Sequence, residues 1–261
     1  MEKYERAVAL WQSYQISSIA DLDRCLDNFR IHFSYHSGKI ENSAITYRDT
    51  RDIFANGSVS NYTGNPRALF EQQNQKLSHE LLKGKFIKGE PLSVELIKEV
   101  HLVLTGGTYD ERRYIENGER PGKFKKHDYL TGRYEIGVPA ASVEVEITEL
   151  VKEVNGYEGA NILKPAAYFH LRFEHIHPFA DGNGRVGRTL LNYYLMLKNH
   201  PPLIVFEEDK RLYYECLERY DEYEEINPLM EFLKYETEKT WAKPLILAAG
   251  LKTKPKGPDA L

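Results

Sequence analysis

Twelve consecutive residues, His177-Pro-Phe-Ala-Asp-Gly-Asn-Gly-Arg-Val-Gly-Arg188, bring together a histidine, an aspartate, an asparagine, three glycines and two arginines. No demand of stability selects that mixture, so a chemical reason is required. A glycine-rich turn that opens a helix presents unpaired backbone N–H groups and the positive end of the helix dipole, and together these bind anions. Arg185 and Arg188 stand three apart, on neighbouring positions of the first helical turn, and their planar forks suit phosphate oxygens. Asp181 beside them makes sense if it holds Mg²⁺ that in turn bridges phosphate oxygens. His177 has the side chain that titrates nearest neutrality and can accept a proton from an incoming hydroxyl. These types in this order point to phosphoryl or nucleotidyl transfer.

Single pieces have plainer explanations: a lone histidine at a helix end is often structural, and Gly182-Asn183-Gly184 alone is a turn. Their convergence on one phosphate site outweighs both. A zinc site from His170, His175 and His177 is disfavoured, since on a helix the three rings point apart and no fourth ligand accompanies them.

The elements that must position this segment are helical. Pro165 suits a first turn, and Ala166, Phe169, Phe173 and Ile176 form one apolar stripe, so a helix delivers His177 and Pro178 ends it. Leu190, Leu191, Tyr194 and Leu195 give the following helix its buried face. Elsewhere apolar residues recur three and four apart, predicting helices over about 3–15, 20–42, 46–55, 66–84, 93–104, 142–155, 165–177, 183–199, 209–222 and 227–246. Residues 56–65 are rich in turn formers and read as a loop. Strand-like alternation is confined to residues 122–137, where two short strands around Thr131-Gly132 are expected to form a hairpin. The fold class is therefore mainly α, a helical bundle with a short β-hairpin flap. The division expected is an N-terminal helical region over 1–65, a main domain over 66–250 and a flexible tail over 251–261.

The chain has 261 residues and a formal net charge of -4, so no basic surface suggests a nucleic-acid partner. Cys25 and Cys216 lie far apart with no metal or redox spacing, which predicts a reduced, cytoplasmic setting. The start carries charges of both signs and no long apolar run follows, so neither a signal peptide nor a membrane segment is expected. Eighteen tyrosines leave room for self-association through helical faces.

The twelve-residue segment matches the signature of the Fic family, His-Pro-Phe-x-(Asp/Glu)-Gly-Asn-Gly-Arg-x-x-Arg, at every fixed position. The resemblance runs from about 93 to 235 and includes Tyr213-Tyr-x-x-Leu-x-x-Tyr220. It implies an all-helical core with a hairpin flap, and an enzyme that uses ATP and Mg²⁺ to transfer AMP to a Ser, Thr or Tyr hydroxyl of a target protein or of its own chain. By this resemblance His177 is the general base and Asp181 holds Mg²⁺. Gly182, Asn183 and Gly184 cradle phosphates, Arg185 and Arg188 bind the β and γ positions, and Phe179 anchors the loop. Lys125 to Gly137 would clamp the target as an added strand.

Upstream, Ser37-Gly-Lys-Ile-Glu41-Asn42 resembles the inhibitory pattern (Ser/Thr)-x-x-x-Glu-(Gly/Asn) of self-restrained Fic proteins. The resemblance implies that Glu41 pairs with Arg188 and blocks the γ-phosphate position. Three other outcomes remain open at this level. Relatives with altered signatures transfer phosphate or phosphocholine, which the intact Gly182-Asn-Gly184 disfavours. Some relatives with the same glutamate remove AMP. A nucleotide-sensing interaction module would bind ATP without turnover.

Overall fold

A computed structural model describes residues 2–41, 45–130 and 137–252. Among these, ten α-helices follow in order: α1 (Lys3–Ser13), α2 (Ile19–Glu41), α3 (Tyr47–Asn56), α4 (Pro66–Ile87), α5 (Val94–Thr105), α6 (Val143–Asn155), α7 (Leu163–Ile176), α8 (Asn183–Leu197), α9 (Lys210–Tyr223) and α10 (Asn227–Lys252). None is long and apolar enough to cross a membrane. The sequence places each of them within a few residues, with two clear differences. Helix α4 runs three residues further, and α10 continues through Pro244, beyond the expected end at 246.

Helix starts follow from local chemistry. Thr46 and Asp49 form a reciprocal capping box at α3, and Gly57 closes that helix with a left-handed φ of 74°. Asn65 caps α4 by accepting the Arg67 N–H at 2.9 Å, with Pro66 in the first turn, where its missing N–H costs nothing. That cap also fixes where Arg67 emerges.

The centre of the molecule is the α7–α8 pair. Most of the α8 side chains are buried, and Leu163, Ala166, Phe169, Phe173 and Ile176 of α7 share one core with Leu190, Leu191, Tyr193 and Tyr194 of α8. Helices α5, α6, α9 and α10 contribute most of the rest of that core, joined by Ile40 of α2 and Leu82 of α4. A smaller cluster joins α1, α2 and α10 through Trp11, Leu22, Leu26 and Trp241, the two tryptophans meeting edge to face at 5.7 Å. Helix α2 thereby lies along α4 and reaches the start of α8 with its C-terminal turn.

The expected hairpin is not supported by its first arm. Residues 123–130 form no strand, and the turn and second arm, 131–136, lie outside the described residues; of the expected tail over 251–261, residues 251 and 252 are helical and the rest lie outside the described residues. Among the described residues the first arm is held by a side chain. Buried Glu119 accepts hydrogen bonds from the Lys126 N–H at 3.0 Å and the Tyr129 hydroxyl at 3.0 Å, and His127 Nδ1 lies 3.0 Å away. Alternation in the sequence could not reveal that a carboxylate takes the backbone donor. A short π-helical turn over Arg112–Glu116, also unforeseen, precedes this segment.

Close approach of α7 and α8 depends on Gly187. A Cβ there would lie 2.4 Å from Glu174 Oε1 and 3.1 Å from both His170 and Phe173. Gly84, mid-way through the last turns of α4, has open space instead. Gly187→Ala is therefore expected to destabilise by about 1–3 kcal/mol, whereas Gly84→Ala should stabilise by about 0.4–1 kcal/mol. Thermal unfolding of the two variants checks the contrast.

Candidate active site

Helix α7 ends at Ile176, and His177 adopts a left-handed φ of 50° while its N–H still bonds the Phe173 carbonyl at 3.1 Å. This turn swings the imidazole out of the helix and into a cavity. Phe179 then buries completely and stacks on His101 of α5, with ring centroids 3.6 Å apart and planes 3° from parallel. His101 Nδ1 accepts the Gly122 N–H at 2.8 Å, so Nε2 carries the proton and donates to the Asp181 carbonyl at 3.0 Å. One histidine thus holds both the aromatic anchor and the loop backbone.

Asn183 completes the clamp. Its Oδ1 accepts the Phe179 N–H at 2.9 Å and its Nδ2 donates to the Phe179 carbonyl at 2.8 Å. The asparagine side chain is engaged inside the protein, which leaves backbone N–H groups to face the cavity. Gly182 takes φ 82°, a value that favours glycine, and α8 starts at the next residue. A helix N-terminus is therefore presented by a turn with almost no freedom.

The cavity measures about 350 Å³ and is lined by Glu41, Arg113, Tyr129, Leu130, Glu174, His177, the loop 180–184, Arg188, Tyr213 and Tyr214. Burial pushes His177 down to about 4, with Lys125 adding to the effect, so its ring is neutral at neutral pH. Glu174, three residues earlier in the last turn of α7 and lining the same cavity, is pushed up by burial to about 8, and its Oε1 has no hydrogen-bond partner among the described residues. Sequence analysis passed over Glu174, although its spacing from His177 was a usable signal.

Arg188 is buried with 2 % of its side chain exposed. Its Nε donates to Ser37 Oγ at 3.1 Å, and Nη2 donates to the Ser37 carbonyl at 3.2 Å and to Glu41 Oε1 at 2.8 Å. Ser37 and Glu41, one turn apart on α2, thus meet one guanidinium. Burial opposes ionisation of Glu41, but the Arg188 charge and hydrogen bond hold its pKa below the ordinary carboxylate value. The carboxylate also lies over the first turn of α8: a Cβ on Gly184 would come within 2.4 Å of Glu41 Oε1. Lys210 of α9 donates to the Ile40 carbonyl and ties down this end of α2. Asn42, the last residue of the expected motif, lies outside the described residues.

Asp181 and Arg185 belong to a second ionic group. Asp181 Oδ2 lies 2.5 Å from Arg67 Nη2, and Oδ1 accepts the Gly182 N–H at 2.7 Å. Arg185 Nη2 is 3.7 Å from Asp181 Oδ1, and its Nη1 is 3.3 Å from Glu71 Oε1, which also accepts Arg67 Nε at 2.9 Å. Arg185 is buried, yet its Nε and Nη1 make no hydrogen bond with the described residues. Arg67 and Glu71 were not expected here, because an i,i+4 pair on a helix reads as an ordinary surface pair. Arg113, which donates to the Ala180 carbonyl at 3.2 Å, was also missed.

The three histidines considered for zinc face different partners: His170 Nε2 shares a hydrogen bond with the Tyr213 hydroxyl at 2.7 Å, His175 Nδ1 lies 2.7 Å from Asp221, and His177 lines the cavity. Among the described residues no group of three or more His, Cys, Asp or Glu could hold a metal.

Comparison with known proteins shows what this helical frame, with a buried imidazole beside a helix N-terminal turn, is similar to. Residues 91–195 match the model of the family described as Fic/DOC. The chain is 28% identical over 213 residues to the protein adenylyltransferase Fic of Drosophila persimilis, covering 79% of this chain and 39% of that protein. The protein of the same name from Drosophila melanogaster is similar at 28%, with 40% of it covered. The chain thus spans about two-fifths of the length of these curated relatives. A Fic domain containing signaling protein from Bacteroides thetaiotaomicron superimposes with a TM-score of 0.80 at 24% identity, covering 95% of this chain and 97% of that one. Fic-1 from C. elegans gives 0.77 at 22%, covering 96% and 73%. At those identities the structures speak for the fold alone. Residues 91–195 thus resemble a Fic/DOC domain, and the described residues share the helical fold of those Fic structures.

The buried titrating groups set a pH optimum for stability. Burial lowers His36, His79, His101 and His177 from 6.5 to about 4, and His170 to about 3. Below pH 6.5 the unfolded chain therefore binds more protons, and stability falls as the pH drops toward 4. Glu174 and Glu236, raised from 4.5 to about 8, bind more protons in the folded chain, and their contribution is lost as the pH rises through 8. The five imidazoles outnumber the two carboxyls on the acidic side. Urea unfolding midpoints should peak at about pH 6–7 and decline on both sides; a midpoint unchanged from pH 7 to 5 contradicts this.

Proposed function

We propose that the chain is a protein adenylyltransferase that moves AMP from ATP to a Ser, Thr or Tyr hydroxyl of a protein, and that Glu41 restrains it. The observation that carries this is one cavity holding a neutral imidazole and a helix N-terminus flanked by two buried arginines, with a carboxylate already seated there. A carboxylate and a phosphate use the same guanidinium geometry, so Glu41 occupies on Arg188 the place of a phosphate oxygen.

In this reaction the ATP phosphates lie against the backbone N–H groups of residues 182–184. Arg185, whose Nε and Nη1 make no hydrogen bond with the described residues, takes the β-phosphate, and Arg188 takes the γ-phosphate once Glu41 withdraws. His177, kept neutral by burial, accepts the proton of the attacking hydroxyl. The hydroxyl oxygen bonds to the α-phosphorus, the bond to the bridging oxygen breaks, and pyrophosphate leaves. Asp181 is the carboxylate that would hold Mg²⁺, and its donor set fits: one carboxylate plus phosphate oxygens and water suits that ion. When bound, the ion would supply positive charge to the phosphate oxygens. Residues 1–65 would carry the restraint and residues 66–250 the transfer.

Restraint of this kind has a size. A charge-assisted hydrogen bond contributes about 1.5–3 kcal/mol, so removing it should raise the population able to take ATP productively by roughly 10- to 100-fold. With α-labelled ATP and Mg²⁺, Glu41→Gly is expected to raise transfer of label to protein by that order. His177→Ala should abolish transfer while ATP still binds. Label arriving from γ-labelled ATP would indicate phosphate transfer instead. Tight ATP binding with no labelling, even in Glu41→Gly, would support a nucleotide-sensing module and overturn the enzyme.

A further inference from the structure

Arg67 sits outside the signature, on the first turn of α4, yet it is the nearest cation to Asp181. Its Nη2 lies 2.5 Å from Oδ2, while the other oxygen is engaged by the Gly182 N–H at 2.7 Å, with Arg185 more distant at 3.7 Å. A divalent cation on a carboxylate sits about 2.0–2.1 Å from the oxygen for Mg²⁺. Arg67 Nη2 stands where such an ion would approach Oδ2, so the guanidinium would compete with a metal there.

The surroundings make Arg67 the partner that can leave. Its side chain is 33 % exposed, against 3 % for Arg185. Glu71, nearly buried, accepts Arg67 Nε at 2.9 Å and lies 3.3 Å from Arg185 Nη1. Arg67 can release Asp181 while keeping Glu71, and Arg185 stays neutralised meanwhile. The backbone under it is fixed by the Asn65 cap and Pro66, so the motion needed is that of a side chain.

We propose that Arg67 is a built-in substitute for the divalent cation at Asp181, competing with metal for the same carboxylate oxygen and so setting how tightly the site takes it. The inference rests on Asp181 being the metal carboxylate. It adds a second restraint to the one at Arg188, contributed by a different helix and acting on a different part of the site. A buried carboxylate with no cation nearby is costly. The pair therefore keeps the metal-free loop in shape, and weakens metal binding in proportion.

Mn²⁺ alone is the probe, its free fraction followed by electron paramagnetic resonance during titration of the full chain without nucleotide. Wild type, Arg67→Gln, Arg67→Lys and Asp181→Asn are compared. Arg67→Gln should bind Mn²⁺ roughly tenfold more tightly, as for loss of one charge-assisted competitor, and Arg67→Lys should fall between it and wild type. Thermal melting adds an independent readout: relative to wild type, Arg67→Gln should melt lower in EDTA and gain more from added Mn²⁺. Unchanged or weaker Mn²⁺ binding by Arg67→Gln, with binding lost in Asp181→Asn, overturns the role of Arg67 and leaves the site reading intact. Wild-type binding by Asp181→Asn overturns the metal role of Asp181 itself. No Mn²⁺ binding by any variant overturns the competition.

Discussion

A guanidinium with 2 % of its side chain exposed must be neutralised where it lies, and at Arg188 that constraint organises the site. An unpaired buried charge costs several kcal/mol. Arg188 cannot move away, because it belongs to a helix whose neighbours on both sides are core residues. It needs an anion, and Glu41 provides one from α2 with Ser37 supplying two further acceptors. Under the proposed function a triphosphate is the alternative anion. Rest and activity then differ in which anion Arg188 holds, and the fold can stay the same in both.

Rigidity around this pair has traceable causes. Gly187 lets α7 and α8 close on each other, and Gly182 turns the chain where another residue would be strained. Asn183 clips the loop to Phe179, while His101 holds Phe179 by stacking and Asp181 by a hydrogen bond. By contrast, Glu41 sits at the very end of its helix and keeps 36 % of its side chain exposed. A buried guanidinium therefore faces a more exposed carboxylate, which suits the reversible restraint proposed above.

The helices were legible because their apolar stripes and caps agree: Asn65-Pro66 starts α4 and Thr46 with Asp49 starts α3, both as their local chemistry dictates. That His177, Asp181, Gly182 and Arg188 gather at one cavity was legible because they crowd into one stretch. The rest was hidden by long-range geometry. Glu119 takes the backbone donor that alternation assigned to a strand, and Arg67 reaches Asp181 across 114 positions while looking like half of a helical surface pair. Asn183, expected only in a phosphate cradle, also clips Phe179 through its side chain, a contact that spacing did not announce. Sequence spacing locates side chains along an element; it does not say which distant carboxylate will take up their charge.

The central claim is that Arg188 exchanges the Glu41 carboxylate for the terminal phosphate of a nucleotide. Crystals of Glu41→Gly grown with Mg²⁺ and a non-cleavable ATP analogue examine it directly. The γ-phosphate should lie within hydrogen-bond distance of the Arg188 guanidinium, with the α-phosphorus facing His177. Nucleotide bound elsewhere, or bound in this cavity with its γ-phosphate turned away from Arg188, would contradict the account.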